Sequence, residues 1–279
     1  MENGYVIVTG ATGGIGSEIV KGLILNNYNL IITYRNLEKA TILKNNILKE
    51  TNCNNDMLLL MELEMTSPES IFKFANLIKK SNLKIIGLIN NAGVINRYFK
   101  KNEYGIESVL MVNYITPLIL IKQLMPYMEL NSKIVNVISV TSNKKIDKDL
   151  FNSTKESYSQ LGDYSRTKAA LAIYTSKLAE TIGDKYLINM ADPGVVNTNI
   201  ITMHRWYDKL ANFLFRPFIK KPKQGAKPII NAFLSNSGLC FFKKNSKKGY
   251  PKKFTNNPLK DWLWDQTNEI IHKIEQDFV

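Results

Sequence analysis

The chain has 279 residues, 44% of them hydrophobic, which is enough for one large α/β domain with a full core. Only two cysteines (Cys53, Cys240) and two histidines (His204, His272) occur, so neither a disulfide framework nor a zinc site is expected, and a reducing compartment, the cytoplasm, is the default location. The net charge of +13 is concentrated: residues 205–260 carry 14 Lys/Arg against one acid, Asp208, and the remainder balances at 23 basic and 23 acidic residues.

Tyr5-Val6-Ile7-Val8 reads as a strand almost from the first residue, so no targeting segment is expected there. No apolar run is expected to approach the ~20 residues of a membrane-spanning helix. Strand-like runs at 5–9, 29–33, 57–63, 84–89, 133–138 and 186–190 alternate with helix-like stretches near 15–26, 37–50, 68–80, 106–129 and 164–182. Such a βαβ rhythm predicts a doubly wound parallel sheet of Rossmann type, a three-layer α/β/α single domain over 1–279. The run Lys133-Ile-Val-Asn-Val-Ile138 has the nearly continuous apolar character of a buried parallel strand. After Asp192 the rhythm stops. Residues 203–219 are aromatic and basic, a helix follows Gln224, 243–258 read as loop, and an amphipathic helix runs from about Leu259 to Ile274, making 243–279 a basic loop plus a C-terminal helix.

Thr9-Gly10-Ala-Thr12-Gly-Gly14-Ile15-Gly16 closes the first strand and opens a helix. Glycines there permit a sharp turn and close approach of backbone to a pyrophosphate, and the helix N-terminus supplies free N–H groups. The spacing is Gly-x-x-x-Gly-x-Gly, so the motif draws its force from the strand–turn–helix context. At the end of the second strand stands Arg35, with no acid to hold a ribose diol. A guanidinium suits a 2′-phosphate, which points to NADP(H) over NAD(H).

Tyr164-Ser-Arg-Thr-Lys168 puts a phenol and an ammonium on one helix face. A nearby cation favours phenolate and is expected to lower the tyrosine pKa from ~10 toward neutrality, poising Tyr164 as an acid/base for carbonyl or alcohol chemistry. The motif occurs once where chance gives about 1.5 matches, so alone it decides nothing. Its neighbours decide. Ser139 follows the fifth strand, Asn90-Asn91-Ala92-Gly93 follows the fourth, Asn113 lies in the next helix and Pro193-Gly194 follows the sixth. Each has an ordinary explanation singly, as a cap, turn or polar helix residue. Their joint occurrence at strand ends does not.

Together these residues resemble the classical short-chain dehydrogenase/reductase family, over 5–198. The resemblance implies an oxidoreductase that moves hydride between NADP(H) and a carbonyl or alcohol. It implies Tyr164 as acid/base, Lys168 binding the nicotinamide ribose and lowering the tyrosine pKa, Ser139 orienting the substrate oxygen and Asn113 holding a water in a proton relay. It further implies a cofactor set of Gly10, Thr12, Gly14, Ile15, Gly16, Arg35, Asn36, Glu64, Met65, Asn91, Ala92, Gly93, Tyr164, Lys168, Pro193, Gly194, Val196 and Thr198. Glu64-Met65 stands where the family usually has Asp-Leu near the adenine.

The chain is most similar to the retinol dehydrogenase-like branch. Tyr34-Arg-Asn-Leu-Glu-Lys39, the 25-residue step from Ser139 to Tyr164, Phe218-Ile-Lys-Lys-Pro-Lys-Gln-Gly-Ala226 and Leu263-Trp-Asp265 all look like it. No N-terminal membrane anchor of the kind some members carry is expected, because the first strand is read at Tyr5. By the family layout, 199–225 forms a flap over the substrate pocket, roofed by Trp206, Tyr207, Phe213 and Phe215, which suits a bulky apolar small molecule. The lysines around it make 205–260 a candidate for weak peripheral contact with an anionic membrane. No nucleic-acid motif accompanies the charge. The resemblance implies a homodimer or homotetramer. Two rival readings stay open: a non-catalytic NADP-binding sensor of the same fold, and a nucleotide-sugar epimerase, whose glycine spacing and longer substrate domain differ.

Overall fold

Apolar strands with no polar alternation need cover on both sides, and the sheet receives it. In the computed structural model, which describes residues 4–139, 141–142, 145–196 and 220–278, eight strands form one sheet in the order β3-β2-β1-β4-β5-β6-β7-β8. The strands are β1 (Tyr5–Val8), β2 (Asn29–Tyr34), β3 (Leu58–Glu62), β4 (Ile85–Asn90), β5 (Met128–Val137), β6 (Leu187–Asp192), β7 (Cys240–Lys243) and β8 (Ser246–Gly249). The first seven are mutually parallel and β8 returns antiparallel. Chain order reverses between β1 and β4, and the crevice beyond their carboxyl ends is where doubly wound sheets bind ligands.

Period-two alternation sorts the side chains into two cores. Ile7, Ile31, Leu88, Ile134 and Ile188 face one layer. Val6, Val8, Leu30, Ile32, Ile89 and Val135 face the other. The second layer holds α1 (Gly14–Ile24), α2 (Leu37–Thr51) and α7 (Pro222–Leu234). The first holds α3 (Pro68–Lys80), a helical turn α4 (Ser108–Leu110), a π turn (Met111–Ile115), α5 (Thr116–Leu124) and α6 (Gln160–Ile182). A short α8 (Lys252–Thr255) and the final α9 (Lys260–Glu275) pack on the same side.

The helix starts obey capping chemistry. Ser67 accepts a bond from Ser70 N ahead of Pro68, and Ser159 accepts one from Gly162 N. That cap starts α6 at Gln160, ahead of the expected 164.

Three expectations need correction. Residues 243–258 are not simply loop: β7 and β8 form a hairpin through Lys244, which takes a left-handed φ of 55°. The exposed lysines of β8, Lys247 and Lys248, mark it as a guarded edge strand that discourages further pairing. The strand at 133–138 begins earlier, at Met128, because a register shift between Ile85 and Gly87 admits the extra residues, with Asn131 at φ 61°. Finally, Ser108–Tyr127 is long and apolar enough to cross a bilayer by length and composition, but most of it is buried inside the protein. Most of the expected flap, with Trp206, Tyr207, Phe213 and Phe215, lies outside the described residues, as does Thr198.

Candidate active site

The turn after β1 is built for close backbone approach. Gly10 sits at φ 66°, and a Cβ there would lie 2.8 Å from Ala92 Cα. At Gly16 a Cβ would fall 2.1 Å from the Gly10 carbonyl oxygen and 2.8 Å from Ala11 Cα. Gly13 precedes α1 and offers no side-chain cap, so the first N–H groups of the helix face the cleft. Thr9 locks this turn to the one after β4. Its hydroxyl accepts from Asn91 N and Ala92 N (both 3.1 Å), and Asn91 Nδ2 donates to the Thr9 and Gly10 carbonyls at 3.0 and 3.2 Å.

A cleft of about 880 Å³ opens over this junction. Gly10, Thr12, Gly14, Ile15 and Gly16 line it from the first turn, Arg35 from the end of β2, and Glu64 and Met65 from beyond β3. Asn91, Ala92, Gly93, Tyr164, Lys168 and Pro193 line it as well. An uncapped helix N-terminus beside glycines that no side chain could replace fits the pyrophosphate of a dinucleotide. Gly16→Ala is therefore expected to weaken dinucleotide binding at least about tenfold in a titration of the folded protein; binding within twofold of the parent would mean the cradle is not used.

Not every expected residue reaches the cleft. Asn36 caps α2 instead, its Oδ1 accepting from Lys39 N at 2.9 Å. Gly194 (φ 78°) packs against Lys220, whose Nζ donates to the Pro193 carbonyl at 3.0 Å. Val196 is buried, bridged to Lys220 and packed on Gly225. Sequence reasoning also missed part of the wall. Thr66 and Ser67 follow Met65, and Lys100 and Lys101 stand on the segment after β4. Arg35 is mostly exposed and faces Glu64, Nε to Oε2 at 3.6 Å. Glu64 is itself held by Thr66, whose N and Oγ1 donate to Oε1 at 3.0 and 2.9 Å.

Of the residues expected to carry acid/base chemistry, Tyr164 and Lys168 line the other side of the cleft, and Ser139 and Asn113 lie outside its lining. Tyr164 and Lys168 project from α6, which is pinned to the sheet by a buried relay: Asn90 Nδ2 to Asn136 Oδ1, then Asn136 Nδ2 to Thr175 Oγ1, both 2.8 Å. Ser139 stands just beyond β5, and its side chain favours the ionised form of the Tyr164 phenol. Its Oγ accepts from Thr141 N and Oγ1, at 3.3 and 3.0 Å, so its own O–H remains available as a donor. Lys168 is buried and Nζ donates to the Val137 carbonyl at 2.9 Å. A Cβ on Gly93 would lie 3.4 Å from both Lys168 Nζ and Asn113 Oδ1, so this glycine is the point where the two meet. Asn113 is fully buried. Its Oδ1 accepts from Val94 N at 2.8 Å and its Nδ2 donates to the Val94 carbonyl at 2.9 Å, so its amide fixes the segment after Gly93.

The electrostatics differ from the expectation. Burial pushes the Tyr164 phenol above its ordinary value, the Ser139 side chain opposes this, and the Asp192 carboxylate adds to it. Burial also pushes Lys168 down, to about 8. Desolvation, not attraction between the Lys168 cation and the phenolate, sets both directions.

A glycine-turned cleft with Tyr164 and a buried Lys168 in its wall is an arrangement suited to a hydride-transferring oxidoreductase. The family model described as short chain dehydrogenase matches residues 4–206, and the chain belongs to the short-chain dehydrogenase/reductase family, in its retinol dehydrogenase-like branch. Human retinol dehydrogenase 12 is 27% identical over 276 residues, covering 95% of this chain and 85% of that protein. Human polyprenol dehydrogenase is 28% identical, covering 95% and 84%. Among solved structures, a short-chain dehydrogenase from Sphingobium yanoikuyae in complex with NADPH superposes with a TM-score of 0.64 at 16% identity, covering 98% of this chain and 96% of that one.

Proposed function

We propose that this chain is an NADP(H)-linked carbonyl reductase, or alcohol dehydrogenase in the reverse direction, acting on a bulky apolar substrate. The observation that carries the reading is the pairing of Tyr164 with the buried Lys168 one helical turn on, both in the wall of a cleft floored by the glycine turn, with Ser139 just beyond the end of β5. Gly10, Gly14, Ile15 and Gly16 would hold the pyrophosphate, and Arg35 would meet the 2′-phosphate. A bound nicotinamide dinucleotide supplies the hydride to the carbonyl carbon, or accepts it from the alcohol.

Tyr164 Oη gives its proton to the carbonyl oxygen as the C=O π pair moves onto that atom, and in oxidation it takes the proton back. Ser139 Oγ orients the same oxygen. Lys168 Nζ stabilises the phenolate left behind and would hold the nicotinamide ribose. The phenol held protonated by burial is the acid form that reduction needs. The names of the two human relatives support the substrate class, since retinol and polyprenol are both long apolar alcohols.

The test is turnover with NADPH and with NADH across carbonyls graded by size and polarity. NADPH is expected to give the higher kcat/KM, and large apolar aldehydes or ketones to exceed small polar ones. Tight dinucleotide binding with no oxidation by any carbonyl would replace the reading by a non-catalytic sensor.

A further inference from the structure

Asn113 sits in a π turn, Met111–Ile115, inside an otherwise regular run of helix. Such turns are rarer and less favourable than α-helical ones, and something must hold them open. From inside, Asn113 grips Val94. Its link to the neighbouring α6 is slack, since Nδ2 reaches Thr167 Oγ1 only at 3.4 Å, near the limit of a useful hydrogen bond. At Asn113 itself, hydrogen bonding therefore ties the turn only weakly to the helix carrying Tyr164 and Lys168.

The C-terminal helix α9 touches both. The next residue of the π turn, Tyr114, is wholly buried, and its hydroxyl lies 2.6 Å from Thr267 Oγ1, also wholly buried. Each is the hydrogen-bond partner that the described residues give the other, so removing either strands a buried polar atom. On the following residue of α9, Asn268 Oδ1 accepts from the hydroxyl of Tyr174, which belongs to α6, at 2.9 Å. Tyr174 stacks on Trp264 at 4.6 Å and meets Tyr114 edge to face at 6.2 Å. Two consecutive side chains of one helix thus hold the two segments that bear the acid/base groups.

We propose that Thr267 is a positioning residue: bonded to Tyr114, and with Asn268 on Tyr174, it clamps the π turn of Asn113 against the helix of Tyr164 and Lys168, so that the C-terminal helix sets the spacing of the active site. The catalytic part of this statement rests on the function proposed above; the structural part does not.

The experiment uses the full chain. Thr267→Val keeps the shape and removes the hydroxyl. It is expected to lower kcat for carbonyl reduction about tenfold with KM for NADPH within about twofold, because the loss falls on the chemical step. Amide hydrogen exchange at 111–115 should speed up about tenfold as the turn opens locally. Thr267→Ser should restore both readouts. Tyr114→Phe should reproduce the Thr267→Val effects, and the double variant should add little, since both remove the same bond. If Thr267→Val does not fold, Tyr114→Phe decides. Parental exchange at 111–115 in a folded variant would overturn the clamp, and altered exchange with parental kcat would overturn its catalytic role. A parent protein that never oxidises NADPH would instead sink the proposed function, and the exchange measurement would still settle the clamp.

Discussion

Tyr164→Phe is expected to lower turnover by about 10²- to 10⁴-fold, the range for losing a positioned general acid, while dinucleotide affinity stays within about twofold. The substitution removes one oxygen from a ring that α6 still holds in place, and Ser139 and Lys168 remain. What disappears is the proton source at the atom where negative charge develops. The pH dependence carries the same signature. Burial holds the phenol above its ordinary value, so around neutrality it is protonated. Reduction, which uses the acid form, should therefore decline as the solution becomes alkaline, and oxidation, which uses the phenolate, should rise. Both slopes should flatten in the variant. The measurement is steady-state turnover in both directions across pH, with dinucleotide binding followed separately. Unchanged turnover would remove Tyr164 from the mechanism.

What was readable from the sequence was whatever is set locally or by chain order. The glycine turn follows β1 directly, and its steric demands at Gly10 and Gly16 are met by backbone close by in the turn or across at Ala92. Ser139, Tyr164 and Lys168 were legible because strand ends in a parallel sheet all open on one edge, so order along the chain becomes proximity. Features that depend on tertiary partners were not legible. The π turn at 111–115 has no composition of its own and needs Thr267, far away in sequence. The hairpin strand Ser246–Gly249 is fully exposed and lysine-rich, without an apolar alternation to betray it. Asn36 is expected at the cofactor only through the resemblance of residues 34–39 to the family, and in the structure its side chain caps α2. The direction of the Tyr164 shift was misjudged because sequence shows the lysine four residues on but not the burial of both groups.

Lys168→Met should produce opposite effects on activity and stability. Turnover is expected to fall on the order of 10²-fold or more, because the phenolate loses its cation. The protein without dinucleotide, however, should become more stable by roughly 1–3 kcal/mol at neutral pH. Lys168 is 3% exposed, and the hydrogen bond it makes is to one carbonyl, that of Val137. Burial lowers its pKa from 10.5 to about 8. Below about 8 the lysine is charged in both folded and unfolded chains, and the full cost of burying the ammonium opposes folding. Between about 8 and 10.5 the unfolded chain binds more protons than the folded one, so stability from this group rises with pH and the cost vanishes above that window. Methionine fills similar space without charge, so the variant should lack that rise and begin from a higher value. Chemical denaturation of both proteins on either side of the window measures it directly. A variant less stable than the parent at neutral pH would show that the Val137 carbonyl and its surroundings solvate the ammonium well, and that the site stores no electrostatic cost for catalysis to draw on.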